Sequence, residues 1–287
     1  MRQFVSAASP NSKGLLEISG KDFHYLRNVL RLSVGDMVTL SLPGGVSRES
    51  TLCKVDDGAK KMTLQVCATA FAGGNSSQGK DCAGQDCPQG LEAAPRIRLV
   101  LLQFIPKPQK MELIVRQATE CGVAAIVPVI GDYTQAGCEK ALQKPDRFEK
   151  IIREARQQSG SQVETKIFQP QKLEAALDLI DENEPSALKL FLYERTDGTV
   201  SFKDALLGQE QNRAQAQEAA AASLGPAKSR APISCVYAVG SEGGISPDEC
   251  GLLLSRGFKA VHFNTNILRC ETAALYAAAA IQSALDN

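Results

Sequence analysis

Histidine is nearly missing from this chain: 287 residues hold two, His24 and His262. A histidine-based catalytic triad or a multi-histidine metal site is thereby all but excluded. No apolar run reaches the ~18 residues a membrane span needs. The Ala-rich stretch from Ala273 to Leu285 is too short and its side chains are too small. The opening MRQFVSAASP lacks the apolar core of a signal peptide, so a cytoplasmic protein is expected. Net charge is zero, from 32 basic and 32 acidic residues, which argues against a generic polyanion binder. No two of the nine cysteines form C-x-x-C; Cys82 and Cys87 have no second ligand pair at zinc-finger spacing, and reduced thiols without metal are expected. Nucleotide motifs also fail. Gly74 to Lys80 fits G-x-x-x-x-G-K, but Asp81 stands where Ser or Thr should hold Mg²⁺, and Gly240 to Gly244 lacks the G-x-G-x-x-G spacing.

What is present is apolar content, 44% of the chain, and length enough for two domains with separate cores. Residues 1–71 contain short alternating segments: Phe4–Ser6, Leu15–Ile18, Met37–Leu42, Thr51–Val55 and Met62–Val66. Gly, Pro and Asp punctuate them. The pattern predicts a small β-barrel, interrupted by a helical stretch from Asp22 to Leu30. Residues 1–70 carry nine Lys/Arg against six Asp/Glu, a small basic excess compatible with nucleic-acid contact. Residues 72–94, rich in Gly, Gln and Ser, predict a flexible linker.

Over residues 95–287 the pattern changes. Ile97–Leu102, Val123–Ile130, Leu188–Tyr193, Ile233–Val239 and Ala260–Phe263 are compact apolar runs. Such runs suit strands buried on both faces of a mostly parallel sheet. Helical spacings alternate with them. One helix carries Met111, Ile114, Val115, Ala118 and Cys121, stopped by Gly122. A second carries Phe148, Ile151, Ile152 and Ala155; a third carries Leu173, Ala176, Leu177 and Ile180. The alternation predicts an α/β domain. The second helix is expected to turn Lys150, Arg153 and Arg156 to its opposite face, to be solvated or to meet RNA phosphates. Residues 205–231 read as a surface insertion without catalytic content. Ala273–Leu285 is apolar on nearly every side and must be buried. One chain cannot cover every face, so a homodimer through the C-terminal domain is expected.

Two motifs bear chemistry: Gly240-Ser241-Glu242-Gly243-Gly244 and Asn264-Thr265-Asn266-Ile267-Leu268-Arg269-Cys270-Glu271-Thr272-Ala273. Each follows a strand-like run and leads into a helical pattern. Two strand-end loops in one α/β layer are where such folds place a ligand. Ser246 predicts a helix N-cap, with Pro247 at the first helical position and Glu249 completing a capping box. That accounts for residues 246–249 but not for Glu242. Glu242 either accepts hydrogen bonds from a ribose or amine, or holds the neighbouring loop. Ile267 and Leu268 either tuck the loop onto the core or sandwich a flat ring such as adenine. Arg269 suits stabilising developing charge or holding a phosphate, and Glu271 suits taking a proton. The alternative is that these two pair with each other or cap the last helix. His24 reads as an RNA contact or as packing beside Tyr25.

The two motifs resemble the GPEGG and ILRTETA signatures of the SPOUT (α/β-knot) RNA methyltransferases. Within these they resemble the RsmE type, which methylates N3 of a uridine in 16S ribosomal RNA. Further blocks stand in the family order: His24 to Arg31 with Val34-Gly35-Asp36, Lys107 to Val123, and Glu154 to Gly160. Together the similarity spreads over roughly 1–70, 96–195 and 233–285. Three positions depart from the family: Ser241 replaces a Pro, Cys270 replaces a Thr, and Ser161 stands where an Arg is usual. The resemblance implies a PUA-like β-barrel RNA-binding domain ahead of a SPOUT-like methyltransferase domain. It implies S-adenosylmethionine as cofactor, contacted by Leu192, Gly240, Glu242, Gly243, Asn264, Ile267 and Leu268. It implies catalytic roles for Arg269 and Glu271, and RNA contact by His24, Arg27, Arg31, Arg153 and Arg156. The implied partner is 16S ribosomal RNA or the small ribosomal subunit, met by a homodimer without metal. Two rival readings remain open: a SPOUT enzyme acting on a ribose 2′-oxygen or another base, and a catalytically silent RNA-binding protein of ribosome assembly.

Overall fold

A computed structural model describes residues 3–43, 46–67, 97–142, 145–194, 198–206 and 233–285. The expected linker at 72–94, with the P-loop-like stretch and Cys82 and Cys87, lies outside these residues. So does the expected insertion, except for Ala205 and Leu206. Those two are buried in the core. The chain divides into two compact units, Met1–Ala94 and Pro95–Asn287.

The first unit is built on five strands: β1 (Gln3–Val5), β2 (Leu15–Ser19), β3 (Met37–Leu42), β4 (Val46–Asp56) and β5 (Lys61–Val66). They form one sheet in the order β1-β3-β4-β5-β2. Only β1 and β3 pair in parallel; the other pairs are antiparallel. Alternation explains the sheet. In β5 every second residue (Met62, Leu64, Val66) is buried, and together with Phe4, Leu16, Leu40 and Leu52 they fill a core on one face. The helix expected over Asp22–Leu30 is present in two pieces. An α-helix, α1 (Gly20–His24), continues into a π-helical turn over Tyr25–Val29. Leu26 anchors that turn in the core, and Arg31 ends it in the left-handed region at φ 53°.

The second unit is a parallel sheet of eight strands: β6 (Ile97–Phe104), β7 (Ala125–Ile130), β8 (Lys166–Ile167), β9 (Gln171–Lys172), β10 (Leu188–Leu192), β11 (Val200–Ser201), β12 (Ile233–Val239) and β13 (Lys259–His262). The order is β11-β13-β10-β12-β6-β7-β8, with β9 also on β7. The five longer strands are those expected from their apolar runs; β8, β9 and β11 were not anticipated. Both sheet faces are covered. Leu99, Leu101 and Tyr237 point to one side, under α2 (Pro108–Glu120), α4 (Pro145–Ser159) and α7 (Cys270–Leu285). A short helix, α3 (Cys138–Ala141), precedes α4. Val100, Leu102 and Val236 point to the other side, under α5 (Leu173–Asn183) and α6 (Pro247–Ser255). Burial on both faces is why these strands are continuously apolar.

The capping box opening α6 is present as expected: Ser246 Oγ accepts from Glu249 N, and Glu249 Oε2 accepts from Ser246 N at 2.8 Å. Its other carboxylate oxygen accepts from Asp132 N at 2.8 Å, tying the loop after β7 to this helix. On α7, Ala273, Ala274, Ala277, Ala278, Ile281 and Leu285 are buried within the chain, while Thr272, Tyr276, Ala279 and Ser283 are exposed. The single chain thus covers one side of this helix and not the other. Small alanines let one face of the helix sit close against α2 and the sheet; the outer face is left in the open.

Candidate active site

β13, β10 and β12 lie side by side, and the loops leaving their C-terminal ends converge. With the first turns of α2 and α7 they enclose a cavity of about 570 Å³. The carboxyl end of a parallel sheet is the usual ligand position in such folds, and this volume suits a small molecule.

The loop after β12 is a tight turn. Gly244 N donates to Ser241 O at 3.1 Å, and Gly243 N donates to Ser241 Oγ at 3.3 Å. Ser241 therefore supports the turn with its hydroxyl at a position where the resembling family has proline. Below it, buried Gln103 donates through Nε2 to the carbonyls of both Val239 and Gly240, at 3.2 Å each. Gly240 has no room for a side chain: a Cβ would stand 2.7 Å from the Gly244 carbonyl carbon. At Gly243 a Cβ would stand 2.7 Å from Tyr133 Cβ. Both glycines are thus required by the packing of the turn itself, a different reason from direct approach to a ligand.

The charged part of the site gathers around a residue to which the sequence reading gave no role. Lys110, in the first turn of α2, places Nζ 3.2 Å from Glu271 Oε2 and 3.6 Å from Glu242 Oε1. Glu242 Oε1 also accepts from Lys107 N at 3.2 Å. The Cys270 thiol donates to Glu271 Oε2 at 3.2 Å. Burial pushes the Cys270 thiol up, its bond to Glu271 adds to that, and it reaches about 12. Burial alone would raise Glu271. A backbone N–H, the Cys270 thiol and the Lys110 ammonium outweigh that effect and hold it below its usual range. Lys110 is raised in turn: burial opposes its charge, but Glu271 and Glu242 favour it more. The lysine stays charged, and Glu271 stays ionised.

Of the expected cofactor residues, Leu192, Gly240, Glu242, Gly243, Ile267 and Leu268 all line the cavity. Asn264 does not; it is exposed, and its neighbours Thr265 and Asn266 take the lining positions. Ile267 is 82% exposed, so it is not tucked onto the core, whereas Leu268 packs against it. Arg269 lines the cavity, and its carbonyl accepts from Ala273 N at 2.7 Å, opening α7. The expected alternative in which Glu271 pairs with Arg269 gives way to the pairing with Lys110. His262 was also overlooked; it lines the cavity, with Nδ1 2.7 Å from Thr199 Oγ1.

The expected RNA residues are scattered. His24 is exposed, its Nδ1 3.2 Å from Asn28 Nδ2. Arg31 is exposed. Arg27 makes a two-pronged pair with Asp57, at 3.2 Å on both oxygens, and donates to Leu32 O, so it braces the β4–β5 turn. On α4, Arg153 is half-buried, but Arg156 is only 6% exposed. Its expected place on the solvent face is corrected: Arg156 follows Ile152 by four residues and shares the apolar stripe. Its Nε and Nη2 have no hydrogen-bond partner among the described residues, and burial lowers its pKa.

Apolar walls, a compact glycine turn and two carboxylates suit a ligand that combines a flat ring, hydroxyls and a cationic centre. Residues 93–282 match the model of a family described as an RNA methyltransferase domain. The chain belongs to that family, and its second unit is a SPOUT-like α/β-knot domain preceded by a small curled β-sheet domain.

Among curated relatives, it is similar to ribosomal RNA small subunit methyltransferase E of Aquifex aeolicus, 33% identical over 163 residues. That match takes in 57% of this chain and 58% of the relative. The enzyme of the same name from Synechocystis is 27% identical over 286 residues, 99% of this chain and 78% of the relative. Among solved structures, ribosomal RNA small subunit methyltransferase E from Neisseria gonorrhoeae, bound to S-adenosyl methionine, has the same fold. The TM-score is 0.69 at 22% identity, covering 99% of this chain and 97% of that one.

Proposed function

We propose that this chain is an S-adenosylmethionine-dependent methyltransferase acting on N3 of a uridine in 16S ribosomal RNA of the small subunit. The observation that carries the reading is the convergence of the Gly240–Gly244 and Asn264–Ala273 loops on one cavity at neighbouring strand ends. Membership of the RNA methyltransferase family and similarity to enzymes named for small-subunit ribosomal RNA support the substrate.

Leu192, Ile267 and Leu268 offer apolar surface to the adenine, and Gly240, Gly243 and the residues beside Asn264 offer backbone groups. Glu242 is an acceptor for hydroxyl or amine. When bound, S-adenosylmethionine supplies an electrophilic methyl group on a sulfonium. The uracil N3 proton must leave for that nitrogen to accept a methyl group. Glu271, ionised and held by Lys110 and Cys270 beside the cavity, is the acceptor in this reading. Arg269, on the exposed rim, stabilises negative charge on the uracil oxygens or holds the RNA backbone. No metal is needed for this chemistry. The first unit, a PUA-like barrel in this reading, grips RNA through its basic surface, including His24 and Arg31. The open outer face of α7 supports a homodimer through the second unit, working in the cytoplasm.

The test is nucleoside mass spectrometry after incubating the purified protein with methyl-labelled S-adenosylmethionine and either naked 16S RNA or small subunits. Labelled 3-methyluridine is the expected product. Label in a ribose 2′-O-methyl nucleoside or another base would replace the specificity. No label, with the cofactor bound, would favour a silent RNA-binding protein.

A further inference from the structure

We propose that Lys110 is the positioning residue of this site: its ammonium pins one carboxylate from each of the two motif loops, Glu242 and Glu271, and keeps Glu271 ionised and oriented for the substrate. The inference deepens the proposed methyltransferase reading and rests on it.

Three observations carry it. Lys110 is placed by α2, an element of neither motif loop, and it reaches both loops at once, at 3.6 Å and 3.2 Å. All three side chains are mostly covered: Lys110 and Glu242 are 28% exposed and Glu271 is 15% exposed. Solvent therefore screens the cluster less than it would a surface pair. Finally, the same end of α2 contributes a backbone donor, Lys107 N, to Glu242. This part of α2 thus works as a clasp on the two loops, with a cation at its centre.

The charge balance explains why the cation is needed. Glu242 and Glu194 line the cavity, and Glu271 stands beside it, bonded to Lys110 and Cys270. Glu242 and Glu271 both contact the Lys110 ammonium, so removing that cation would leave the negative charge of each uncompensated. In contact with Glu271 are Lys110 from α2 and Cys270 beside it on α7, and Glu242 from the loop after β12 meets the same ammonium. Arg269, Glu194 and His262 line the same cavity. The protonated Cys270 thiol contributes a donor and no charge. Lys110 is thus the cation in direct contact with both carboxylates. A proton acceptor works only in its ionised form, so Lys110, through its bond to Glu271, sets how far into acid the site stays competent.

The experiment is a carbon-13 titration of the side-chain carboxylates, with the Glu271 resonance assigned by its loss in Glu271→Gln. It is run on the ligand-free wild type, Lys110→Met, Lys110→Arg and the milder Lys110→Gln. The Glu271 midpoint is expected to move to higher pH in the Met and Gln variants and to return in the Arg variant. In activity, the acid limb of kcat/KM should move the same way. A purely structural lysine would leave the midpoint where it is. An unchanged midpoint in folded Lys110→Met or Lys110→Gln overturns the proposal. Absence of S-adenosylmethionine binding by the wild type in calorimetry would instead overturn the functional reading, and the titration outcome would still stand by itself.

Discussion

Gly243 and Tyr133 are in each other's way: a Cβ on the glycine would stand 2.7 Å from Tyr133 Cβ and 2.9 Å from its Cγ. The contact joins the motif turn after β12 to the loop after β7. Gly243→Ala must push one of them aside, and overpacking of this kind costs roughly 1–3 kcal/mol. If the turn moves, calorimetric affinity for S-adenosylmethionine should fall about tenfold, the equivalent of ~1.4 kcal/mol. Because the colliding atom is Tyr133 Cβ, Tyr133→Gly should rescue the variant and Tyr133→Ala should not. Equal rescue by both would show that the aromatic ring, not the backbone spacing, is the constraint.

Arg269→Ala should leave cofactor affinity within a factor of two while lowering kcat by on the order of a hundredfold, the usual cost of removing a charge-stabilising donor. Its side chain is exposed at the cavity rim and makes no hydrogen bond or ion pair among the described residues; its carbonyl takes part in opening α7. A loss of cofactor affinity equal to the loss in turnover would move Arg269 to the cofactor side.

Alkaline pH should destabilise the second unit through its buried thiols. Cys235 and Cys270 are each pushed up by burial from 9.0 to about 12. Unfolded, these thiols ionise near 9, whereas folded they stay protonated to about 12. The unfolded state therefore releases protons first, and stability, whole below pH 9, declines through that window. Melting temperature plotted against pH should fall less steeply for Cys235→Ala than for the wild type between pH 9 and pH 11. Parallel slopes would count against the argument.

Ala278 and Ala279 are neighbours on α7 with opposite roles. Ala278 is 0% exposed and packs inside the chain, whereas Ala279 is exposed. Ala278→Arg buries a charge, at a cost of several kcal/mol, and should unfold the second unit. Ala279→Arg should leave circular dichroism and melting unchanged while shifting sedimentation equilibrium towards the monomer. A wild type that is already monomeric at micromolar concentration would remove the proposed homodimer.

Much of the second unit was legible because of a simple physical fact: a strand buried on both faces has no polar alternation to hide. Ile233–Val239 was therefore delimited to the residue, and α6 was announced by Ser246, Pro247 and Glu249. What stayed hidden came from contacts distant in sequence. Nothing near Lys110 marks it, because its partners lie in other elements; Cys270 is 160 positions away. Arg156 was misplaced by reading charge as exposure, although its spacing from Ile152 already put it on the apolar stripe. The cavity residues in the motif loops were readable because glycine turns and a strand-end loop are local signals. The packing reason for Gly243 was not, since Tyr133 belongs to a different loop.

The sheet order also fixes when the pocket comes into being. β10 is flanked by β12 and β13, and the cavity walls come from the ends of all three and from α7. The first unit can gather Phe4, Leu16, Leu40, Leu52 and Leu64 while the rest of the chain is still being made. The ligand pocket has no such early version. A nascent chain halted before Lys259 would hold β6 and β7 yet lack β13, the loop bearing Arg269, and the helix bearing Glu271. Such a product would have no enclosure for a ligand, so the pocket forms only after the segment through α7 has been made.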